Sequence, residues 1–85
     1  MEELYKMIEE KIKASGYQYP VSGYEIYNEI CDFIDGKENG AYVFMSKKED
    51  DQVYEYNVQI HEENFNLSTL TIIAKENTYV IDFDA

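Results

Sequence analysis

The chain has 85 residues, of which 18 are acidic and 7 are lysines, so its formal charge at neutral pH is −11. This length fits one domain over residues 1–85. The acidic excess and the lack of arginine disfavour direct binding to nucleic acid or to anionic membranes, and they favour basic proteins as partners.

Two amphipathic helices are predicted in the first half of the chain. The first covers residues 2–15 and ends at Gly16, because its apolar residues recur at helical spacing and glycine commonly follows a helix end. The second covers residues 22–35, since Ser22 and Glu25 have the spacing of a capping box. Each helix has one apolar face, so we expect both to pack on a common core.

From residue 41 onwards, the pattern changes from helical spacing to strand-length apolar runs and alternation, which predicts four strands at residues 41–46, 54–61, 67–74 and 78–83. Residues 47–52 form a charged connection between the first two. Short connections favour an antiparallel meander, with the two helices on its apolar face, which is an α+β fold of order ααββββ. On the second strand, Tyr54, Tyr56, Val58 and Ile60 are expected to point inward. The opposite face of the sheet is expected to show Glu55, Asn57, Gln59, Thr69, Thr71, Thr78 and Asp82 to water.

The sequence contains no recognisable catalytic or metal-binding pattern. His61 is the only histidine and lies at a predicted strand end, while Cys31 is the only cysteine and lies on the apolar side of the second helix. One residue of each type allows neither a zinc site nor an internal disulfide, and the four isolated glycines form no phosphate-binding loop. We therefore expect no enzyme activity, no metal and no cofactor. No apolar run is long enough for a membrane span or a signal peptide, so we expect a cytoplasmic protein.

The second helix carries four acidic residues and no lysine between Val21 and Gly36, whereas the first helix mixes four acidic residues with three lysines. Like charges three or four positions apart destabilise a helix, and acids near its end oppose the helix dipole. Such locally unfavourable patterns tend to mark functional sites. We therefore predict that a partner contacts the acidic row on this helix and the acidic connection after the first strand: Glu25, Glu29, Asp32, Asp35, Glu49, Asp50 and Asp51.

A second kind of contact surface is indicated by aromatic and apolar residues. Tyr17 and Tyr19 lie in the loop before Pro20, where core packing explains them poorly, and tyrosines are frequent in binding surfaces. The run at residues 41–46 is apolar on both faces, so as an edge strand it is expected to pair with a partner or with a second copy in a homodimer.

These features support two hypotheses about function. Neighbouring acidic residues on one helix face have Cβ atoms about 5–6 Å apart, which is similar to the step between successive phosphates of a nucleic-acid strand. In size and charge the chain resembles the small acidic inhibitors of phages and mobile elements, including anti-CRISPR proteins, and this resemblance is one of composition. It implies an inhibitor that occupies the basic cleft of a nucleic-acid-binding enzyme such as a nuclease. The alternative is a non-catalytic interaction module, an adaptor or antitoxin-like subunit that uses a tyrosine-rich apolar patch.

Overall fold

The computed structural model describes residues 2–62 and 64–84 and shows the predicted α+β order. The elements are α1 (Glu2–Ala14), α2 (Gly23–Ile34), β1 (Gly40–Glu49), β2 (Gln52–His61), β3 (Asn64–Ile73) and β4 (Thr78–Asp82). All neighbouring strands are antiparallel, and their order in the sheet is β1-β2-β3-β4. The prediction of two helices followed by a four-stranded meander is confirmed.

Both helices end at the residues that the sequence indicates, to within one position. Gly16 follows α1 with φ of 99°, a left-handed conformation that favours glycine. At the start of α2, the Ser22 side chain accepts a hydrogen bond from the backbone N–H of Glu25 at 3.2 Å. The first N–H of α2, that of Gly23, donates to a carboxylate oxygen of Glu9 at 2.8 Å. A side chain of α1 therefore caps α2 and joins the two helices.

The hairpins are tighter than the charge pattern predicts. The first strand was expected at 41–46 with a connection at 47–52, but Glu49 pairs with Gln52, and the turn consists of Asp50 and Asp51 alone. Charged side chains are compatible with a strand wherever they point into water, and the backbone ladder to β2 extends through them. The expected turn at 62–66 is also shorter, because Asn64 already pairs with His61.

The core lies between the helices and one face of the sheet. The inward residues predicted on β2 are all buried, with exposed fractions of 6% or less, and Tyr56 is fully buried. They pack with residues of both helices and of β3 and β4: Ile8, Ile12, Ile26, Ile30, Leu67, Leu70, Ile72 and Ile81. A register shift in the β2–β3 ladder leaves Ser68 opposite no residue of β2, so Leu67 and Leu70 both face the core.

The outer face of the sheet carries the residues predicted for it. Gln59, Thr78 and Asp82 are exposed, and Glu55, Asn57, Thr69 and Thr71 are half-buried among their neighbours. The longer helix has 13 residues, and within the described part of the chain neither helix has the length and apolar character needed to cross a membrane.

Candidate functional site

One carboxylate of α2 is bound to the sheet by three side chains. Glu29 accepts hydrogen bonds from the hydroxyls of Ser46 and Tyr56, each at 2.6 Å, and from the ammonium group of Lys48 at 2.7 Å. Ser46 and Lys48 belong to β1 and Tyr56 to β2, so Glu29 connects the second helix to two strands. Burial raises the pKa of Glu29, but the three donors outweigh it and hold that pKa below its ordinary value of 4.5. Burial, together with the Glu29 carboxylate, raises the pKa of the Tyr56 hydroxyl.

The predicted acidic row is therefore interrupted at Glu29, whose carboxylate is held by the sheet, and its contact with a partner stays a prediction. Its side chain is 25% exposed, while Glu25, Asp32 and Asp35 are exposed. The reason is the sheet beneath the helix, which supplies donors that are 17 to 27 residues away in the sequence. Glu25 and Asp32 of α2 and Asp35 just after it are exposed and remain available to a partner.

The lowered pKa of Glu29 predicts a specific acid sensitivity. A carboxylate whose pKa is lower in the folded than in the unfolded chain stabilises the fold fully above its unfolded pKa, near 4.5, and loses this effect as pH falls through its folded pKa. We expect the free energy of unfolding to fall more steeply below about pH 4.5 in the wild type than in a Glu29→Gln variant. Urea titrations between about pH 3 and pH 7 would measure this, with Glu10→Gln on the exposed face of α1 as control. Equal slopes for Glu29→Gln and wild type would contradict the assignment.

A cleft of about 920 Å³ lies between the loop that joins the helices, the start of α2 and the tip of the β1–β2 hairpin. It brings together six of the nine residues predicted to contact a partner, drawn from three separate segments: Tyr17, Tyr19, Glu25, Glu49, Asp50 and Asp51. Glu29, Asp32 and Asp35 do not line it. We call this concavity the acidic cleft.

Tyrosines form one wall of the acidic cleft. Tyr19 is 64% exposed, and its ring lies 5.6 Å from the ring of Tyr17. Tyr17 is itself only 4% exposed, because it packs edge to face against Tyr54 and Tyr79. The expectation that core packing explains Tyr17 poorly is thus wrong, since the antiparallel sheet places two aromatic rings under the loop, while a contact of Tyr17 with a partner stays a prediction. Tyr17 supports Tyr19, and Tyr19 is the exposed ring among the tyrosines that line the cleft.

The charge of the acidic cleft is negative. Four exposed carboxylates line it, those of Glu25, Glu49, Asp50 and Asp51, and its one lysine is Lys48. The Lys48 ammonium group is bound by Glu29 and lies 5.2 Å from the ring centre of Tyr54. The Glu29 carboxylate and the Tyr54 ring therefore largely compensate its positive charge. Across residues 2–62 and 64–84, no three His, Cys, Asp or Glu side chains form a group that could hold a metal ion. The cleft therefore offers four carboxylates and the exposed ring of Tyr19 to a cationic group.

Two residues that line the acidic cleft were not predicted from the sequence to belong to a partner-binding site. Lys48 was taken as part of a connection and Tyr54 as a core residue, yet both line the cleft. Tyr54 is 6% exposed and packs against Tyr17 and Tyr56. The alternating pattern correctly places Tyr54 inward, but it does not show that the layer of helices leaves a cleft above this residue.

The single histidine and the single cysteine lie apart from the acidic cleft. The His61 side chain is 82% exposed at the end of β2, with its Nε2 atom 3.9 Å from the Glu62 carboxylate. Cys31 is half-buried and lines a smaller apolar pocket of about 340 Å³ between the helices and the β2–β3 hairpin. Both positions agree with the sequence analysis, which placed His61 at a strand end and Cys31 on the apolar side of the helix.

The edge strand β1 presents a second exposed surface. Val43 and Met45, on the outer face of the sheet, are each 58% exposed, and β1 pairs with β2 alone among residues 2–62 and 64–84.

Comparisons of the chain with protein-family models, with curated proteins and with solved structures find no significant match.

Proposed function

We propose that the protein is a small acidic inhibitor that docks the acidic cleft and its carboxylates onto a basic groove of a nucleic-acid-binding enzyme, in the cytoplasm of a cell that carries a phage or mobile element. The observation that carries this proposal is the convergence of Glu25, Glu49, Asp50 and Asp51 beside the exposed Tyr19. Two distant segments supply the carboxylates, and the only lysine among the cleft residues is already paired.

The chemistry of the cleft fits a groove that normally binds phosphates. Carboxylates that are held on a helix end and a tight hairpin present negative charge at fixed positions, and arginine and lysine side chains bind carboxylates as they bind phosphates. The exposed ring of Tyr19 adds a surface on which an arginine can stack. Asp32 and Asp35 extend the same charge along α2. The formal charge of −11 accelerates encounter with a basic partner.

Neutralising the acidic cleft is expected to weaken the docking. A variant with Glu25→Gln, Asp50→Asn and Asp51→Asn should bind its partner about 30-fold more weakly, because it loses three charge pairs with basic side chains of the partner. A matched control removes three exposed carboxylates from α1, by Glu2→Gln, Glu3→Gln and Glu10→Gln, and should change binding by less than about threefold.

The experiment has two stages. Capture from the lysate of the host, with washes at low and high salt, supplies the partner, and binding is then measured with the purified pair. Inhibition of a nucleic-acid-binding enzyme requires that an oligonucleotide and the protein compete for the partner and that affinity falls as salt rises. Simultaneous binding of both ligands, or equal affinity of the cleft and control variants, would refute the proposal.

A second candidate function is supported by the exposed apolar residues of β1. In that case the protein is an interaction module whose partner adds a strand at β1. Binding would then depend on backbone hydrogen bonds and on apolar contacts at Val43 and Met45, and it would vary little with salt. The cleft variant and its control would bind alike, so the same pair of variants separates the two functions.

A further inference from the structure

The sheet has two edges, and only one of them is long and open. β4 has five residues and is contacted by α1, where the Lys11 ammonium group donates to the Asp82 carbonyl at 3.4 Å. β1 has ten residues, and the N–H and C=O groups on its outer edge have no strand partner within residues 2–62 and 64–84. Proteins usually protect such edges with charged residues or proline. The segment 41–45 carries neither.

We propose that β1 pairs antiparallel with β1 of a second copy, in a two-fold symmetric dimer centred on Val43. The inference is independent of the proposed function. Pairing around Val43 places Ala41 opposite Met45 of the other copy and Tyr42 opposite Phe44. Directly opposed residues share a face, so the exposed Val43 and Met45 of both copies cover one another on the outer face. An eight-stranded sheet with all four helices on one side results.

The inner face of β1 also favours this partner. Tyr42 and Phe44 are half-buried and stack nearly parallel, with ring centres 5.8 Å apart and planes at 9°. Phe44 stacks in turn on Phe33 of α2 at 4.9 Å. In the dimer, Tyr42 lies opposite Phe44 of the second copy, so this row of rings continues across the two-fold axis and each ring gains an aromatic neighbour.

The composition of β1 favours this register. Pairing around Val43 gives a ladder of residues 40–46, which contains no charged residue, and it opposes Tyr42 and Phe44 on both sides of the two-fold axis. Pairing around Phe44 would instead oppose Tyr42 and Ser46, and it would bring Lys47 and Lys48 into the ladder. Pairing around Tyr42 would oppose Phe44 and Gly40. Aromatic residues directly opposite each other stabilise a pair of strands.

The overall charge gives the dimer a distinctive dependence on salt. Each copy carries −11, so the two copies repel each other at low ionic strength, and salt screens this repulsion. Dimerisation should therefore strengthen between about 50 mM and 500 mM salt. Docking of the acidic cleft on a basic partner would weaken over the same range. The two interactions therefore differ in whether their affinity rises or falls with salt.

Sedimentation equilibrium of the full chain at both salt concentrations tests the proposal. Val43→Lys places two ammonium groups opposite each other at the two-fold axis and should weaken dimerisation about 30-fold. The matched control is Val80→Lys, which changes an equally exposed residue on the opposite edge and should leave the dimer intact. A monomer at all concentrations, or equal effects of the two variants, would overturn the proposal.

Oxidative cross-linking tests the register in a Cys31→Ala background. Thiols introduced by Val43→Cys should form an intermolecular disulfide rapidly, because opposed residues of antiparallel strands have Cα atoms about 4.5–5.5 Å apart, within the range of a disulfide. In this register residue 45 lies opposite residue 41 of the second copy, four residues away from the other residue 45. Thiols introduced by Met45→Cys should therefore cross-link at least about tenfold more slowly. Faster cross-linking at position 45 would overturn the register.

Discussion

Replacing Glu29 with alanine is expected to lower the free energy of unfolding by about 3 kcal/mol. The change removes the acceptor of three hydrogen bonds at once, those from Ser46, Lys48 and Tyr56. The Tyr56 hydroxyl is fully buried, so it would lose its partner without gaining water, which costs about 1–3 kcal/mol. Lys48 is one-third exposed and recovers part of its loss by hydration. Urea unfolding, followed by tyrosine fluorescence or circular dichroism, measures the change.

A double-mutant cycle apportions the effect. Tyr56→Phe removes only the buried hydroxyl and should lower the free energy of unfolding by about 1–1.5 kcal/mol, because Glu29 keeps its hydrogen bonds from Ser46 and Lys48. In the Glu29→Ala background, Tyr56→Phe should be nearly neutral or stabilising, since the hydroxyl then has no acceptor. Asp32→Ala, an exposed acid one turn further along α2, is the control and should change stability by less than about 0.5 kcal/mol. Additive effects of Glu29→Ala and Tyr56→Phe would show that the two groups do not interact.

The fold follows closely from the periodicity of the sequence. Alternation at residues 54–60 identifies the inward face of β2, and all four inward residues are buried. Short connections predict the meander, because antiparallel neighbours need no crossover. The strand ends were misplaced wherever charged residues continue a strand into water, as at Lys47 and Glu49. The charged residues there predict exposure to solvent. Both a turn and the strand residues next to it are exposed, so polarity alone does not show where the strand ends.

The candidate site could be predicted only in part. The sequence identifies Glu25 and the acids of the hairpin tip, yet their grouping in one cleft depends on the packing of α2 beside the end of β1. For the same reason, helical spacing treats Glu25 and Glu29 alike, although one lies at the cleft and the other binds the sheet. Tyr17 belongs to the core because Tyr54 and Tyr79 approach it from different strands. Contacts between distant segments decide each of these cases, and local pattern does not encode them.

Replacing Gly23 with alanine is expected to destabilise the fold by about 3 kcal/mol, against the trend of helix propensity. Gly23 begins α2 where α1 crosses it, and an added Cβ would overlap the carbonyl group of Tyr5, whose carbonyl carbon and Cα both lie 2.8 Å from its position. These are backbone atoms, so no rotamer change relieves the overlap, and the helices must separate. Separation would also stretch the hydrogen bond from the Gly23 N–H to Glu9.

The sign of the effect makes this prediction decisive. Alanine favours a helix over glycine by about 1 kcal/mol, so if the two helices were not in backbone contact, Gly23→Ala would stabilise the protein. Gly36→Ala is the matched control: its φ of 76° strains an alanine, but no atom lies within 4 Å of the added Cβ. We expect a cost of about 1 kcal/mol there, from backbone conformation alone. A larger loss at Gly23 than at Gly36 would demonstrate that the close crossing of α1 and α2 positions the start of α2, and with it Glu25, at the acidic cleft.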